Sequence, residues 1–216
     1  MRQPITTLYF TRHGETDYNR AGIVQGRGVN SPLNHTGIQQ AEALRERLSS
    51  VWFDAIYASP LLRAQQTAEA VARSHPHLKI RFMRDLEEIS WGIWEGQKPP
   101  AKSSIFRDLL ESWTRGGLSE RFEGGESALE VHERAQRAIR NISQQHIGQT
   151  VLIVTHGRFL RICLAGLLNP DHGLRRMEDI KHTNASLHVL TWDGERYEAA
   201  LLNDTFHLRN TGFINL

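Results

Sequence analysis

Leu8-Tyr9-Phe10-Thr11-Arg12-His13-Gly14-Glu15-Thr16 and the later Val151-Leu152-Ile153-Val154-Thr155-His156-Gly157 end in the same way. Each begins as a short apolar run, β-branched or aromatic and too short for a helix, then breaks into a polar turn containing glycine. Both read as buried strands that deliver a histidine at the carboxyl end. As parallel neighbours they would bring both imidazoles to one edge of an open α/β sheet, where such sheets build their sites. With Arg12 beside the first histidine, the pair is equipped to hold and attack a phosphoryl group.

Strand and helix patterns alternate outward from these runs, as expected when crossovers place helices on both faces of a sheet. Thr36 to Leu48 is amphipathic through Ile38, Ala41, Leu44 and Leu48 and predicts a helix. Ala55 to Ala58 predicts a short strand, stopped by Ser59-Pro60 as N-cap and first residue of a helix running to about Arg73. Lys79 to Met83 predicts a strand. Ser127 with Glu130 forms a capping box for a helix toward His146, and Phe159 to Leu168 predicts another. Ala185 to Trp192 and Arg196 to Leu202, joined at Asp193-Gly194, read as an antiparallel hairpin, which makes the sheet mixed. Gln97 to Gly125 is the least regular stretch, with paired prolines and glycines, and is where a lid would lie.

A chain of 216 residues can bury one sizeable core, so a single domain over 1–216 is expected. With 26 basic against 24 acidic residues and a formal net charge of +2, no general polyanion surface is expected and nucleic acid is set aside as a partner. Cys163 is the single cysteine, which excludes an internal disulfide and reads as a small buried hydrophobe in a reducing compartment. The first apolar run is shorter than a signal h-region, and no segment reaches membrane-span length. A soluble, cytoplasmic protein without a membrane partner is the expectation. An exposed closing hairpin would offer an edge on which a homodimer could pair.

Most of the 11 histidines must be structural. His75-Pro76-His77 lacks a carboxylate or cysteine at ligand spacing and reads as a surface turn rather than a metal site. His13 stands apart because the glycine after it lets backbone approach a ligand, and Glu15-Thr16 can begin a helix whose amides favour an anion. His156 is likewise followed by glycine and a helical pattern.

These elements together resemble the histidine phosphatase superfamily, also called the phosphoglycerate mutase-like family. Arg12-His13-Gly14-Glu15-Thr16 with Asn19 is similar to its signature. Gly26 through Pro32-Leu33 and Gly37 to Ala41 resembles G-x-x-D-x-P-L-T-x-x-G-x-x-Q-A, and Ser59-Pro60-Leu61-Leu62-Arg63-Ala64 with Thr67-Ala68 resembles S-P-L-x-R-A-x-x-T-A. Leu86-Glu87-Glu88 through Gly92 and Trp94-Glu95-Gly96 resembles L-x-E-x-x-x-G-x-W-E-G. Gly125-Glu126-Ser127 and Thr155-His156-Gly157 complete the order. Asn30 stands where the family commonly has aspartate and Asn34 where it has threonine. Arg158 stands where an uncharged residue is more usual.

The resemblance implies an α/β three-layer sandwich with a mixed, mostly parallel central sheet. It implies a metal-independent phosphomonoester hydrolase, without cofactor, acting on a small phosphorylated metabolite through a phosphohistidine. His13 would be the nucleophile, its other ring nitrogen held by a nearby backbone carbonyl. Arg12, Arg63, His156, Asn19 and Gly157 would bind the phosphoryl group. Glu88, four residues before Gly92, would be the general acid in preference to Glu87, with a pKa raised by burial or by the phosphate dianion. Gln25 and Arg158 would contact the substrate body, Arg158 through a second acidic group. Lys98, Lys102, Arg107, Arg115 and Arg121 read as solvated surface, one or two of them near the substrate entrance. Cofactor-dependent phosphoglycerate mutase is the alternative activity, disfavoured by the short path from the W-E-G element to Gly125. A silent phosphate-binding module is disfavoured by retention of Arg12, His13, Arg63, Glu88 and His156 together.

Overall fold

The computed structural model describes residues 4–100 and 103–211, so Lys102 lies outside the described residues. The strands are β1 (Thr6–Arg12), β2 (Ala55–Ala58), β3 (Ile80–Phe82), β4 (Thr150–Thr155), β5 (Leu187–Trp192) and β6 (Tyr197–Asp204). Among the described residues they form one six-stranded sheet in the order β3-β2-β4-β1-β5-β6. β3, β2, β4 and β1 run parallel, whereas β5 is antiparallel to β1 and β6 to β5.

Alternation along the strands divides the core. Leu8 and Phe10 of β1 and Val151 and Ile153 of β4 pack on one face with α4 (Ile105–Arg115), α5 (Ala128–Gln145) and α6 (Gly157–Leu168). Leu152 and Val154 pack on the other face with Leu44 and Leu48 of α2 (His35–Leu48) and Ala64, Ala68 and Val71 of α3 (Leu62–Ala72). The result is a three-layer sandwich. A short α1 (Asp17–Ala21) follows β1 and is started by a capping box between Thr16 and Asn19. No helix among the described residues is long and apolar enough to cross a membrane.

Several local expectations are corrected. Gln97 to Gly125 is not irregular throughout, because it contains α4, whose Phe106, Leu109, Leu110 and Trp113 lie at helical spacing and pack toward the core. The paired prolines and glycines lie outside that helix, and Gly116 ends it with φ of 105°. Ile38 does not join the buried face of α2 and is 56% exposed. His75 is buried, with its ring edge-on to Phe53, while His77 stacks on Trp52. Cys163 is buried, as expected, and burial pushes its thiol pKa up.

Ser59 is not the N-cap of α3. That helix begins after Leu61, which makes no side-chain cap, and the Leu62 N–H donates to Asn30 Oδ1 at 2.7 Å. The loop before α2 therefore reaches across to cap the next helix. Asn34 caps α2 by accepting from the Gly37 N–H at 2.8 Å. Asn30 and Asn34, two of the residues at which the chain departs from the family pattern, thus act as caps.

Two outcomes are expected. Asn30→Ala should lower unfolding free energy by about 1 kcal/mol in denaturant titrations, the usual cost of a lost cap, and Asn30→Asp should retain most of it. His188 on β5 is buried, and that burial lowers its pKa to about 4. The unfolded chain then binds a proton that the folded chain refuses as pH falls below about 6.5. His188 should make stability fall by up to about 1.4 kcal/mol per pH unit between there and pH 4. Replacing His188 with Asn should flatten the measured slope by that amount, and an unchanged slope would contradict the assignment.

Candidate active site

The register of β1 on β4 pairs Arg12 with Thr155. The ladder continues one step further, with the His13 N–H donating to the Thr155 carbonyl at 2.9 Å. His13 and His156 therefore leave neighbouring strands together, and their ring centroids lie 5.1 Å apart. Gly14 turns the chain away at once. A Cβ at Gly14 would lie 2.4 Å from the Gly37 carbonyl oxygen, so the strand exit packs backbone to backbone on the first turn of α2. Thr67 accepts from the Gly14 N–H and donates to the Arg63 carbonyl, which ties this exit to α3.

His13 is 2% exposed and holds Nδ1 2.6 Å from the Gly14 carbonyl oxygen. That oxygen can only accept, so Nδ1 carries the proton and Nε2 presents its lone pair. Burial first, then the Arg63 and Arg12 charges, holds His13 well below the usual histidine range. The same causes, burial leading, lower His156. Both imidazoles are neutral near pH 7.

The buried Arg63 donates through one Nη to the Val29 carbonyl and through the other to the Gly26 carbonyl, at 2.7 and 2.8 Å. Arg12 donates to the His182 carbonyl at 3.0 Å. His156 Nε2 lies 2.7 Å from Ser59 Oγ. Three nitrogens of this cluster, Arg12 Nε, Arg63 Nε and His156 Nδ1, are buried without a hydrogen-bond partner among the described residues. Burial lowers both guanidiniums to about 10, so they stay charged at neutral pH.

Glu88 reaches the N-terminus of α6. Its carboxylate accepts from the Arg158 N–H at 3.1 Å, the Phe159 N–H at 2.8 Å and the Ile89 N–H at 3.0 Å. Glu87 faces Arg27 instead, at 3.5 Å. A cavity of about 200 Å³ is lined by Arg12, His13, Asn19, Gln25, Arg63 and Glu88, with Ile23, Val24, Trp91 and Phe106 forming its apolar wall. Asn19 Oδ1 is occupied by the Thr16 N–H and by Asn184, and Gln25 Oε1 accepts from Ser31.

His156, Gly157 and Arg158 do not line that cavity. A Cβ at Gly157 would lie 2.9 Å from the His182 ring and 3.2 Å from Arg12 Nε, so its lack of a side chain leaves room for Arg12. The Arg158 guanidinium pairs with Glu178 and lies 6.0 Å from the centre of the Trp91 ring. Arg107, Arg115 and Arg121 are exposed and pair with Glu111 or Glu130. Among the described residues no group of three or more His, Cys, Asp or Glu is placed to hold a metal ion.

Sequence reasoning missed Ser59 as partner of His156, His182 as support of Arg12, and the apolar wall of Trp91 and Phe106. Ser59 carried a misleading local signal, since Ser-Pro before an apolar run reads as a helix start. His182 carried none.

The model for the histidine phosphatase superfamily (branch 1) matches residues 8–205. The chain is 30% identical to the metal-independent phosphoserine phosphatase of Arabidopsis thaliana, over 97% of this chain and 86% of the plant protein. The structure of Bacillus stearothermophilus YhfR superposes with a TM-score of 0.84 at 33% identity, covering 94% of this chain and 99% of that one. A mutant phosphoserine phosphatase from Entamoeba histolytica, in complex with phosphoserine, superposes with a TM-score of 0.82 at 25% identity, covering 94% and 99%. With paired histidines at adjacent strand ends and a match from the first strand to the last, this chain belongs to branch 1 of the histidine phosphatase superfamily.

Proposed function

We propose that the chain hydrolyses a small phosphomonoester in two displacements through a phosphohistidine at His13. The observation that carries the reading is the group of unpartnered buried nitrogens on Arg12, Arg63 and His156 beside a neutral His13. Buried polar groups are normally satisfied. A phosphoryl group with its three oxygens satisfies these.

In the first step the His13 Nε2 lone pair attacks phosphorus while Nδ1–H stays on the Gly14 carbonyl. The bond to the departing oxygen breaks, and Glu88 supplies its proton. Arg12 and Arg63 meet the charge spreading over the phosphoryl oxygens, already aimed by the carbonyls that hold them. With Ser59 donating to Nε2, His156 carries its proton on Nδ1 and adds a third donor. In the second step Glu88 takes a proton from water, the oxygen attacks phosphorus, and His13 leaves as the neutral imidazole. The guanidiniums supply the charge stabilisation that a metal provides in other phosphatases.

Asn19 and Gln25 contact the bound ester from the cavity wall, and Gly157 gives Arg12 its room. Arg158 reaches a second acidic group of the substrate only by leaving Glu178. Phosphoserine is the first substrate to test, because two of the similar proteins are named for it. The reading places a cytoplasmic enzyme on a small metabolite, with neither nucleic acid nor membrane as partner, and leaves β6 as an edge for pairing two copies.

His13→Ala should abolish hydrolysis, while Glu88→Gln treated with an aryl phosphate should accumulate an acid-labile phosphoryl label on His13, mapped by peptide mass spectrometry. Alkyl phosphate turnover by Glu88→Gln should drop about 10²–10⁴-fold, the span of general acid–base catalysis. Chelators should leave the wild type unchanged. Because His13 is held below its ordinary value, the acid limb of kcat/KM that reports this nucleophile should lie below pH 6.5. Label on another residue, or activity in His13→Ala, would overturn the mechanism.

A further inference from the structure

Arg134 is a buried cation away from the cavity, on the middle of α5, and all its donors are used. Its guanidinium donates to the carbonyls of Asp85 at 2.9 Å, Glu87 at 2.8 Å and Glu88 at 3.2 Å. It also donates to both oxygens of Glu126, at 3.0 and 3.1 Å. These contacts use all five N–H donors of a guanidinium. Glu126 in turn accepts from the Ser90 N–H at 2.9 Å and from Arg27 at 3.1 Å. The backbone is therefore gripped on both sides of Glu88, at the Glu87 and Glu88 carbonyls and at the Ser90 N–H.

The same guanidinium lies 5.3 Å from the centre of the Phe159 ring. Phe159 is the residue whose N–H donates to the Glu88 carboxylate at 2.8 Å. One cation thus touches both the backbone that launches Glu88 and the helix end that receives its side chain. Helix stability alone would not call for an arginine here, because an apolar residue at a buried face of α5 fills space without a charge to desolvate. Neither Arg134 nor Glu126 lines the cavity.

We propose that Arg134 and Glu126 are positioning residues that hold Glu88 at proton-transfer distance from the leaving oxygen. The inference rests on the reading of Glu88 as the proton donor. Displacement of a catalytic group by about 1 Å can reduce a rate by about 10²-fold. Loss of the clamp should therefore act on the step that needs the proton and spare steps that do not.

Pre-steady-state burst kinetics on the full chain test this, with the burst amplitude reporting competent enzyme so that partial unfolding is divided out. Arg134→Met should slow phosphorylation by an alkyl phosphate about 10²-fold, while an aryl phosphate with an acidic phenol, which departs with little help, loses less than about 10-fold. Arg134→Lys, which keeps the charge but reaches fewer carbonyls, should fall between. In a Glu88→Gln background Arg134→Met should add less than about 2-fold, because a residue that acts through Glu88 has nothing left to position. Should Arg134→Met fail to fold, Glu126→Gln carries the same tests with the same expected order. Equal slowing of alkyl and aryl substrates, or a full additional loss in the double variant, would overturn the clamp while leaving the acid assignment standing. Absence of leaving-group dependence in Glu88→Gln itself would overturn the acid assignment, and the clamp with it.

Discussion

The parallel pairing of β1 with β4 is the constraint from which the site follows. With Arg12 opposite Thr155, and the His13 N–H on the Thr155 carbonyl, two histidines that lie far apart in the chain leave the sheet side by side. A slip of one residue would send each side chain to the opposite face of its strand. The alternation of Val151 and Ile153 with Leu152 and Val154 between two separate cores resists that slip, since every residue of the run is buried. Packing of the sheet and placement of the chemistry are one arrangement.

Around that pair the molecule collects buried positive charge. Isolated buried cations are costly, and each guanidinium here is held by backbone carbonyls that offset part of the cost. Gly26 and Val29 hold Arg63, and His182 holds Arg12. Carbonyls orient a cation without neutralising it, so Arg12 and Arg63 keep their charge for the phosphoryl group proposed to bind there. The two histidines become weaker bases through burial and those charges, which would favour the neutral form that the proposed nucleophile His13 needs.

The charged groups of the cavity contrast with its apolar lining. Trp91 and Phe106 meet edge to face at 5.2 Å, and Phe106 also contacts Trp94 and Phe122. Phe106 of α4 and Trp91 thereby give the cavity that holds Arg12 and Arg63 an apolar lining. Such a lining lowers the local dielectric, and charged groups beside it act more strongly on developing charge as a result.

What the sequence by itself determined are features that depend on neighbours along the chain. Strand runs that end in a histidine, the capping box of Ser127 and Glu130, and the closing hairpin all have local patterns, and motif order supplied the family. Tertiary structure alone decided the partners. Ser59 and His156 meet across 97 residues, and Asn30 caps a helix 32 residues later. Glu178 takes the guanidinium of Arg158, and Arg134 closes on carbonyls nearly 50 residues before it. Helix α4 was hidden between prolines and glycines until its aromatic face found the core. Periodicity and capping act within one element and leave a mark in its residues, whereas a carbonyl that orients an arginine belongs to every residue type and leaves none.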